Sequence, residues 1–170
     1  MKKYLIAFFF IVVPVLCSAA MSNDPSGFRD LNWGTDISTL KGMAYVSTDD
    51  SYGGIKLYSR NNDVLTIGAA KVESIQYGFW QNKLSDVRII FKGYPNFASI
   101  KDATFEKFGT GDKPDEFMER YLWTGEKTGI VLQYSQLPGK GSLFMWSQEI
   151  SKQQKAYQEE KAKEGSQKGF

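Results

Sequence analysis

The sequence contains no histidine, and its one cysteine, Cys17, lies in an apolar N-terminal segment. The chain beyond that segment therefore has neither imidazole nor thiol side chains. Their absence excludes disulfides, catalytic pairs that depend on Cys or His, and zinc sites of the usual Cys and His type. Four classes remain: carboxylate chemistry, serine–lysine chemistry, metal ions held by oxygen ligands, and binding without catalysis.

The N-terminal segment has the features of a secretory signal peptide. Two lysines precede an apolar run from residue 5 to 16, and Ser18-Ala19-Ala20 supplies the small residues that a signal peptidase accepts. The run is shorter than the ~20 residues that a membrane-spanning helix needs. We expect residues 1–20 to be removed as a signal peptide, with cleavage near Ala20, and the mature chain to be periplasmic or secreted.

A lipid anchor at Cys17 is the alternative that the same segment raises, because this cysteine directly follows the apolar run. A lipobox has a small residue at the position that Leu16 occupies here. The sequence therefore favours cleavage near Ala20 over lipidation of Cys17.

The charge of the chain argues against a nucleic-acid partner. The whole chain carries 21 Lys and Arg against 19 Asp and Glu. The excess comes from Lys2 and Lys3, so residues 21–170 are formally neutral. Nucleic-acid-binding domains usually carry a basic surface that neutralises phosphates. We expect no nucleic-acid partner.

The mature chain is long enough for one domain with a hydrophobic core. Residues 21–27 are polar and include proline and glycine, which predicts a flexible leader. Residues 28–148 carry the apolar patterning of a single domain. Residues 149–170 are rich in Lys, Glu and Gln, which predicts a charged, solvated helical tail with a frayed end after Lys163.

Alternating apolar residues predict an antiparallel sheet. The segments KVESIQYGFWQ and LSDVRIIFKG alternate with a period of two, and a polar turn joins them. The segment ERYLWTGEKTGIVLQYS predicts a second hairpin, and SLFMWSQEI predicts a further strand. Both hairpins combine an aromatic strand, a polar turn and an aliphatic strand, which predicts a tandem pseudo-repeat.

Two short helices are predicted beside these strands. Thr35 or Asp36 can cap the first, whose apolar positions begin at Ile37, and residues 47–54 then form a polar loop. The second starts near Pro95 and stops at Gly109. The predicted fold class is α+β: a single antiparallel meander sheet of about six to eight strands, with two short helices on one face and a charged C-terminal helix.

Four strings, FRDLNWGTDIS, YGFWQNKLSDVRIIFKG, FEKFG and YLWTGEKTGIVLQY, resemble small exported bacterial proteins of unknown function. At the level of fold, the chain is similar to the tandem helix-plus-meander domains of beta-lactamase inhibitor proteins and related outer-membrane assembly lipoproteins. This resemblance covers most of the mature chain and depends on aromatic residues and turns. The inhibitor proteins carry disulfides, whereas this mature chain has no cysteine, and no functional residue is carried over from them.

Two short motifs together match serine-type penicillin-binding enzymes. Ser38 and Lys41 have the Ser-x-x-Lys spacing, and Lys127-Thr128-Gly129 follows later in the chain. The middle Ser-x-Asn element of those enzymes is missing between them, and the mature chain is far shorter than their fold. We interpret both motifs as chance matches, which are common for patterns of this length.

A cluster of acidic residues precedes the second predicted hairpin. It consists of Asp112, Asp115, Glu116 and Glu119. Two carboxyl groups held about 5–9 Å apart in a cleft can hydrolyse a glycosidic bond. A carboxylate-dependent hydrolase of cell-wall glycan is therefore the alternative function.

The aromatic residues of the strands point to binding. If Tyr77 and Phe79 face the core, Trp80 faces the other side of the sheet, and either Phe144 and Trp146 or the residues alternating with them also face away from the helices. A sheet with helices on one side exposes its other face, where Trp and Tyr act as binding anchors. The alternative is that the tail helix or a second protomer covers them.

The function predicted from the sequence is that of a non-catalytic exported protein, which binds an envelope protein or an enzyme through an aromatic sheet face. We predict no catalytic residue, metal site or cofactor, and no transmembrane segment in the mature chain. The predicted binding surface consists of Tyr77, Trp80, Tyr121, Trp123 and Trp146.

Overall fold

The computed structural model describes residues 21–168 of the chain. The predicted signal peptide, residues 1–20, lies outside the described residues, as do the last two residues of the tail. No helix within the described range combines the length and the apolar character needed to cross a bilayer.

Antiparallel strands dominate the described part of the chain. The strands are β1 (Gly27–Phe28), β2 (Leu31–Asn32), β3 (Met43–Asp49), β4 (Ile55–Arg60), β5 (Thr66–Ile67), β6 (Ala70–Lys71), β7 (Ser74–Trp80), β8 (Lys83–Lys92), β9 (Glu119–Thr124), β10 (Thr128–Ser135) and β11 (Lys140–Ser147). Seven of them form the main sheet in the order β3-β4-β7-β8-β11-β10-β9, and two small ladders, β1-β2 and β5-β6, stand apart from it. With the helices α1 (Tyr94–Phe108) and α2 (Gln148–Lys168), this confirms the predicted α+β class.

The main sheet consists of two meanders that meet at its centre. The first runs inward from β3 to β8, the second runs inward from β9 to β11, and β8 pairs with β11 where they meet. Because every pairing is antiparallel, side chains alternate between the same two faces across all seven strands. One face packs against α1 and is the core face, and we call the opposite one the open face.

Helix α1 covers the core face as the sequence predicts. Pro95 lies in its first turn, and its last turn is closed by Gly109, whose N–H donates to the carbonyl of Phe105 at 2.9 Å. The side of the helix that meets the sheet carries Phe97 and Ile100, both fully buried. Each such side chain stabilises the fold by about 1.5–3 kcal/mol through removal of apolar area from water.

The first predicted helix is only a single 3-10 turn, Ile37–Thr39. Asp36 does cap it, since its carboxylate accepts a hydrogen bond from the N–H of Ser38 at 2.9 Å. Gly42 then takes a φ of +73°, and from Met43 onward the chain pairs with β4. Residues 47–49 of the predicted loop 47–54 are therefore strand, because cross-strand pairing overrides a weak local preference, while residues 51–53 form a second 3-10 turn. One α-helix, rather than two, covers the core face within residues 21–168.

The leader, residues 21–27, is packed rather than free. The carboxylate of Asp24 accepts hydrogen bonds from the N–H groups of Lys127 at 2.8 Å and Thr128 at 3.0 Å. A Cβ atom on Gly125 would lie 2.3 Å from the same carboxylate, so the turn between β9 and β10 is shaped around Asp24. The leader differs from the predicted flexible arm because it satisfies the backbone donors of this turn.

The charged tail begins as a docked helix. The hydroxyl of Ser147 accepts a hydrogen bond from the N–H of Ile150 at 3.2 Å, which caps α2. Ile150, Gln154 and Tyr157 have the spacing of one helical face, and Ile150 and Gln154 are buried. The first turns of α2 thus pack on the open face, opposite α1, while residues 158–167 are largely solvent-exposed as predicted. The helix continues to Lys168, beyond the predicted start of fraying at Lys163.

Candidate functional site

The structure corrects the predicted binding surface. Four of its five residues lie inside the protein: Tyr77 is 0%, Trp123 3%, Trp80 5% and Tyr121 9% exposed. Only Trp146, of the five, keeps partial exposure on the open face. A buried ring has no surface with which to contact a partner of the folded domain, so four of the predicted anchors are core residues.

These four buried rings lie in two different clusters, one on each face of the sheet. Tyr77, Tyr121 and Trp123 point to the core face, where the indole N–H of Trp123 donates to the carbonyl of Gly109 at 2.7 Å. Trp80 faces the other way, as its alternation with Tyr77 predicts, but α2 lies over it. The sequence left open that the tail helix covers the outward aromatic residues, and α2 does cover Trp80.

Strand β11 forms the floor of a groove on the open face. Lys140, Ser142, Phe144 and Trp146 line the groove, while Leu143, between them, is buried in the core. These side chains mark a floor about 20 Å long, because each residue of a strand advances by ~3.4 Å. We call this feature the open-face groove.

The open-face groove is bordered by side chains of β3, β4, β8, β9 and β10 and by the first turns of α2. It comprises three adjoining cavities of about 490, 400 and 400 Å³ from the α2 end to the Lys140 end, which is the size range of ligand pockets. Arg120 borders all three cavities. The other charged residues that line the groove are Asp49, Asp86, Arg88, Glu119, Lys140 and Lys155.

A stacked aromatic pair occupies the floor. The rings of Phe144 and Trp146 lie 5.4 Å apart at an interplanar angle of 22°. The guanidinium of Arg88 lies over the ring of Phe144, 5.7 Å from its centroid. On β10, Gly129 pairs with Trp146, and a Cβ atom there would lie 2.1 Å from the indole ring. The indole therefore rests directly on the backbone of β10, which only a glycine permits.

Arg88 is held by two carboxylates. Its Nε donates to Asp86 at 3.0 Å and its Nη1 to Asp49 at 2.9 Å. Asp86 is buried, and its second oxygen accepts a hydrogen bond from the hydroxyl of Ser85 at 2.7 Å. A Cβ atom on Gly78 would lie 2.3 Å from this carboxylate, so Gly78 leaves it room. The result is an oriented guanidinium on the wall of the open-face groove.

These ion pairs and the neighbouring hydrogen bonds shift the pKa values of Arg88 and Asp49. Burial alone would lower the pKa of Arg88, but the charges of Asp86 and Asp49 outweigh it and the pKa is raised. Hydrogen bonds from Ser51, and then the charge of Arg88, lower the pKa of Asp49. A general acid needs the opposite shift, since it must keep its proton near neutral pH. The carboxylate of Asp49 is thus suited to an ion pair rather than to hydrolysis.

The acidic cluster before β9 lies on the surface. Asp112, Asp115 and Glu116 are exposed, and Asp115 accepts a hydrogen bond from the N–H of Phe117 at 2.8 Å. Glu119 accepts one from the hydroxyl of Tyr121 at 3.0 Å. Across residues 21–168, no cluster of three or more acidic residues has an arrangement that could hold a metal ion. The observed bonds of this cluster are those of a solvated loop.

The penicillin-binding motifs have structural roles. The hydroxyl of Ser38 donates to the carboxylate of Asp36 at 2.7 Å, within the 3-10 turn. In the Lys127-Thr128-Gly129 stretch, Thr128 is buried and accepts the indole N–H of Trp33 at 2.6 Å, while Gly129 seats Trp146. Ser38, Thr128 and Gly129 thus each have a capping or packing partner within the fold.

Sequence reasoning missed the arginines of the open-face groove and left the orientation of β11 undecided. Alternation allowed either Phe144 and Trp146 or their neighbours to face away from α1, and the structure places Phe144 and Trp146 outward. Arg88 alternates with buried residues of β8, and Arg120 alternates with Tyr121 on β9. A charged residue that interrupts an apolar strand is the signal that could have identified both.

We expect the hydrogen bonds that Asp49 accepts, from Ser51 and then from Arg88, to give the protein a measurable acid sensitivity. Because the pKa of Asp49 is lowered in the folded state, its contribution to stability is present above the unfolded-state pKa of about 3.9 and disappears as the pH falls through the folded value. Asp49→Asn should cost about 0.5 kcal/mol at neutral pH, typical of a partly exposed pair.

Urea denaturation of wild type and Asp49→Asn between neutral pH and about pH 2 tests this linkage. The difference in unfolding free energy should shrink toward the acid end. Asp50→Asn, at the exposed neighbouring position, is the matched control for the removal of one surface carboxyl group. A difference that stays constant over the pH range would contradict the prediction.

No protein-family model matches this chain, and neither does any curated protein or solved structure with which it was compared.

Proposed function

We propose that this chain is a non-catalytic exported binding protein, which holds a segment of an envelope protein or of an enzyme in the open-face groove. The observation that carries the proposal is the stacked pair Phe144 and Trp146, which keeps partial exposure on the open face while the other strand tryptophans are buried. Export follows from the signal-like segment, residues 1–20.

The dimensions of the open-face groove fit an extended peptide. A chain in extended conformation advances by about 3.3–3.6 Å per residue, so a floor of about 20 Å accommodates about six residues. An extended peptide lying in the groove would turn alternate side chains toward the floor and toward solvent. Aromatic and arginine side chains at the centre of a patch contribute most of the affinity in typical protein interfaces.

The chemistry of the groove supports binding over catalysis. Asp86 and Asp49, two of the acidic residues that line it, hold Arg88, and the pKa of Asp49 is lowered. A hydrolase of glycan would need one carboxyl group with a raised pKa facing a second carboxylate across the substrate. The fixed ion pairs instead give a rigid wall, which reduces the entropy lost when a ligand is bound.

Capture of partners from an envelope extract tests this function. Wild-type protein is used as bait, and the captured proteins are quantified by mass spectrometry against a Phe144→Ala/Trp146→Ala variant. We expect the specific partner to be captured at least tenfold less by the double variant, consistent with the loss of an interface hot spot of ~2 kcal/mol or more.

Phe117→Ala is the matched control. Phe117 is 98% exposed on the loop before β9 and does not line the open-face groove, so its loss removes an aromatic surface residue elsewhere. Circular dichroism of each variant verifies the fold. Equal capture of every partner by wild type and by the Phe144→Ala/Trp146→Ala variant would refute the proposed function.

A further inference from the structure

The acidic residues that line the open-face groove are already engaged. Asp49 and Asp86 both hold Arg88. Glu119 accepts a hydrogen bond from Tyr121 and lies 3.6 Å from the ammonium of Lys113. The negative charge of the groove is therefore largely compensated by neighbours within the protein.

Three cations of the open-face groove lack such compensation. Within residues 21–168, the side chains of Arg120, Lys140 and Lys155 make no ion pair and no hydrogen bond to another residue. Lys155 lies at the α2 end, Lys140 at the opposite end, and Arg120 beside all three cavities between them. The uncompensated charge of the groove is thus positive and distributed along its length.

Arginine is well suited to bind a carboxylate at this position. Its planar guanidinium can donate two parallel hydrogen bonds to one carboxylate, which a lysine cannot do. Arg120 lies on β9, next to Gln133 of β10 in the sheet, and shares the central cavity with Phe144. If Arg120 binds a carboxylate of a ligand, the apolar side chains next to that carboxylate will therefore lie beside Phe144 on the floor of the groove.

We propose that the ligand of the open-face groove is an extended acidic peptide, with an Asp or Glu carboxylate on Arg120 and alternate apolar side chains on Phe144 and Trp146. This inference rests on the proposed function and names the chemistry of its partner. A peptide fits better than a nucleic acid because residues 21–170 are formally neutral overall, and a phosphate backbone requires a broader basic surface. The spacing of the floor residues is also that of side chains on a strand.

A displayed library of random peptides, about eight residues long to cover the floor and both ends, tests this inference with the mature protein as bait. Wild type should enrich peptides that combine Asp or Glu with aromatic or aliphatic residues. Arg120→Gln should remove the enrichment of Asp and Glu while the apolar preference persists. Phe144→Ala/Trp146→Ala should remove the apolar preference.

The selected peptide, labelled with a fluorophore, gives the fold-change by anisotropy titration. We expect Arg120→Gln to weaken its binding about tenfold, consistent with loss of a charge-assisted pair. Replacing the acidic residue of the peptide with its amide should weaken wild-type binding to the same extent and leave Arg120→Gln unaffected. Lys152→Gln, which removes an exposed cation of α2 outside the groove, is the control and should bind as wild type.

The outcomes separate this inference from the proposed function. Loss of binding in Phe144→Ala/Trp146→Ala with no change in Arg120→Gln would leave the proposed function standing and overturn the acidic ligand. No enrichment of any peptide by wild type would overturn both. Tight binding of labelled polygalacturonate, with no acidic peptide enriched, would also overturn the inference by showing that the groove takes an acidic polysaccharide.

Discussion

Replacing Trp80 with alanine should lower the free energy of unfolding by about 3–5 kcal/mol, the usual cost of truncating a large buried aromatic side chain. Trp80 packs in a cluster with Ile55, Leu57 and Ile150, and its ring lies 5.9 Å from that of Tyr157 in an edge-to-face arrangement. The change leaves a cavity between the sheet and α2.

The same substitution removes a buried hydrogen bond. The indole N–H of Trp80 donates to the carbonyl of Tyr52 at 2.9 Å, and alanine leaves that carbonyl without this partner. Trp80 also connects the sheet to the first turns of α2, so its loss should weaken the docking of the whole helix. We therefore expect the effect to appear both in global stability and in the local opening of α2.

Urea denaturation measures the first effect, and limited trypsin digestion, which cleaves at the lysines of α2, measures the second. Cleavage within α2 should be faster in Trp80→Ala than in wild type. Trp146→Ala is the control, since it truncates a tryptophan that is only partly buried and should cost much less stability. A loss below about 1 kcal/mol, with unchanged digestion, would show that Trp80 does not anchor α2.

Replacing Gly129 with alanine should displace Trp146 from the floor of the open-face groove. The new Cβ atom would lie 2.1 Å from Cζ2 and 2.2 Å from Cε2 of the indole, far inside the contact distance of about 3.5–4.0 Å. The rigid ring cannot bend out of the way and must rotate, which breaks its stacking on Phe144. We expect a loss of about 1–3 kcal/mol in stability, typical of an overpacked site, and a loss of ligand binding similar to that of Phe144→Ala/Trp146→Ala.

A double-mutant cycle isolates this clash. In a Trp146→Ala background the indole is absent, so adding Gly129→Ala should cost little further stability. Gly165→Ala is the matched glycine control, because a Cβ atom there has no neighbour within 4 Å, and helix α2 should gain up to about 1 kcal/mol. Equal costs of Gly129→Ala with and without Trp146 would show that the two residues are not coupled.

Local patterns were sufficient to predict the elements that carry strong signals. Helix α1 begins next to Pro95, at Tyr94, and ends before Gly109 as predicted, because a first-turn proline and a closing glycine act over a few residues. The hairpin of β7 and β8 turns at Gln81 and Asn82, which take the positive φ angles of a tight turn. These features depend on residues close together in the chain, which a sequence displays directly.

Features that depend on distant partners were not predictable in the same way. Residues 43–49 form a strand because they pair with β4, although their own side chains are mostly exposed and alternate little. The leader is ordered by the bonds of Asp24 to Lys127 and Thr128, about a hundred positions further along the chain. In both cases the stabilising contact comes from tertiary structure.

The candidate site likewise combines features that the sequence predicts with features that only tertiary contacts decide. Alternation along β7 and β11 correctly implied that Trp80 would lie opposite Tyr77, and that one of two residue sets on β11 would face away from α1. It did not reveal that α2 covers Trp80 and leaves Trp146 partly exposed. A period of two assigns side chains to faces, but it carries no information about what packs on each face.

The sequence alone determined the α+β class, the main hairpins, helix α1 and the absence of His and Cys chemistry beyond residue 20, since composition and short-range periodicity are sufficient for each. Tertiary structure decided which aromatic residues form the core and which line the open-face groove. The reason is that α2 docks at one end of the open face through Ile150, Gln154 and Tyr157, buries Trp80, and leaves the floor of β11 accessible.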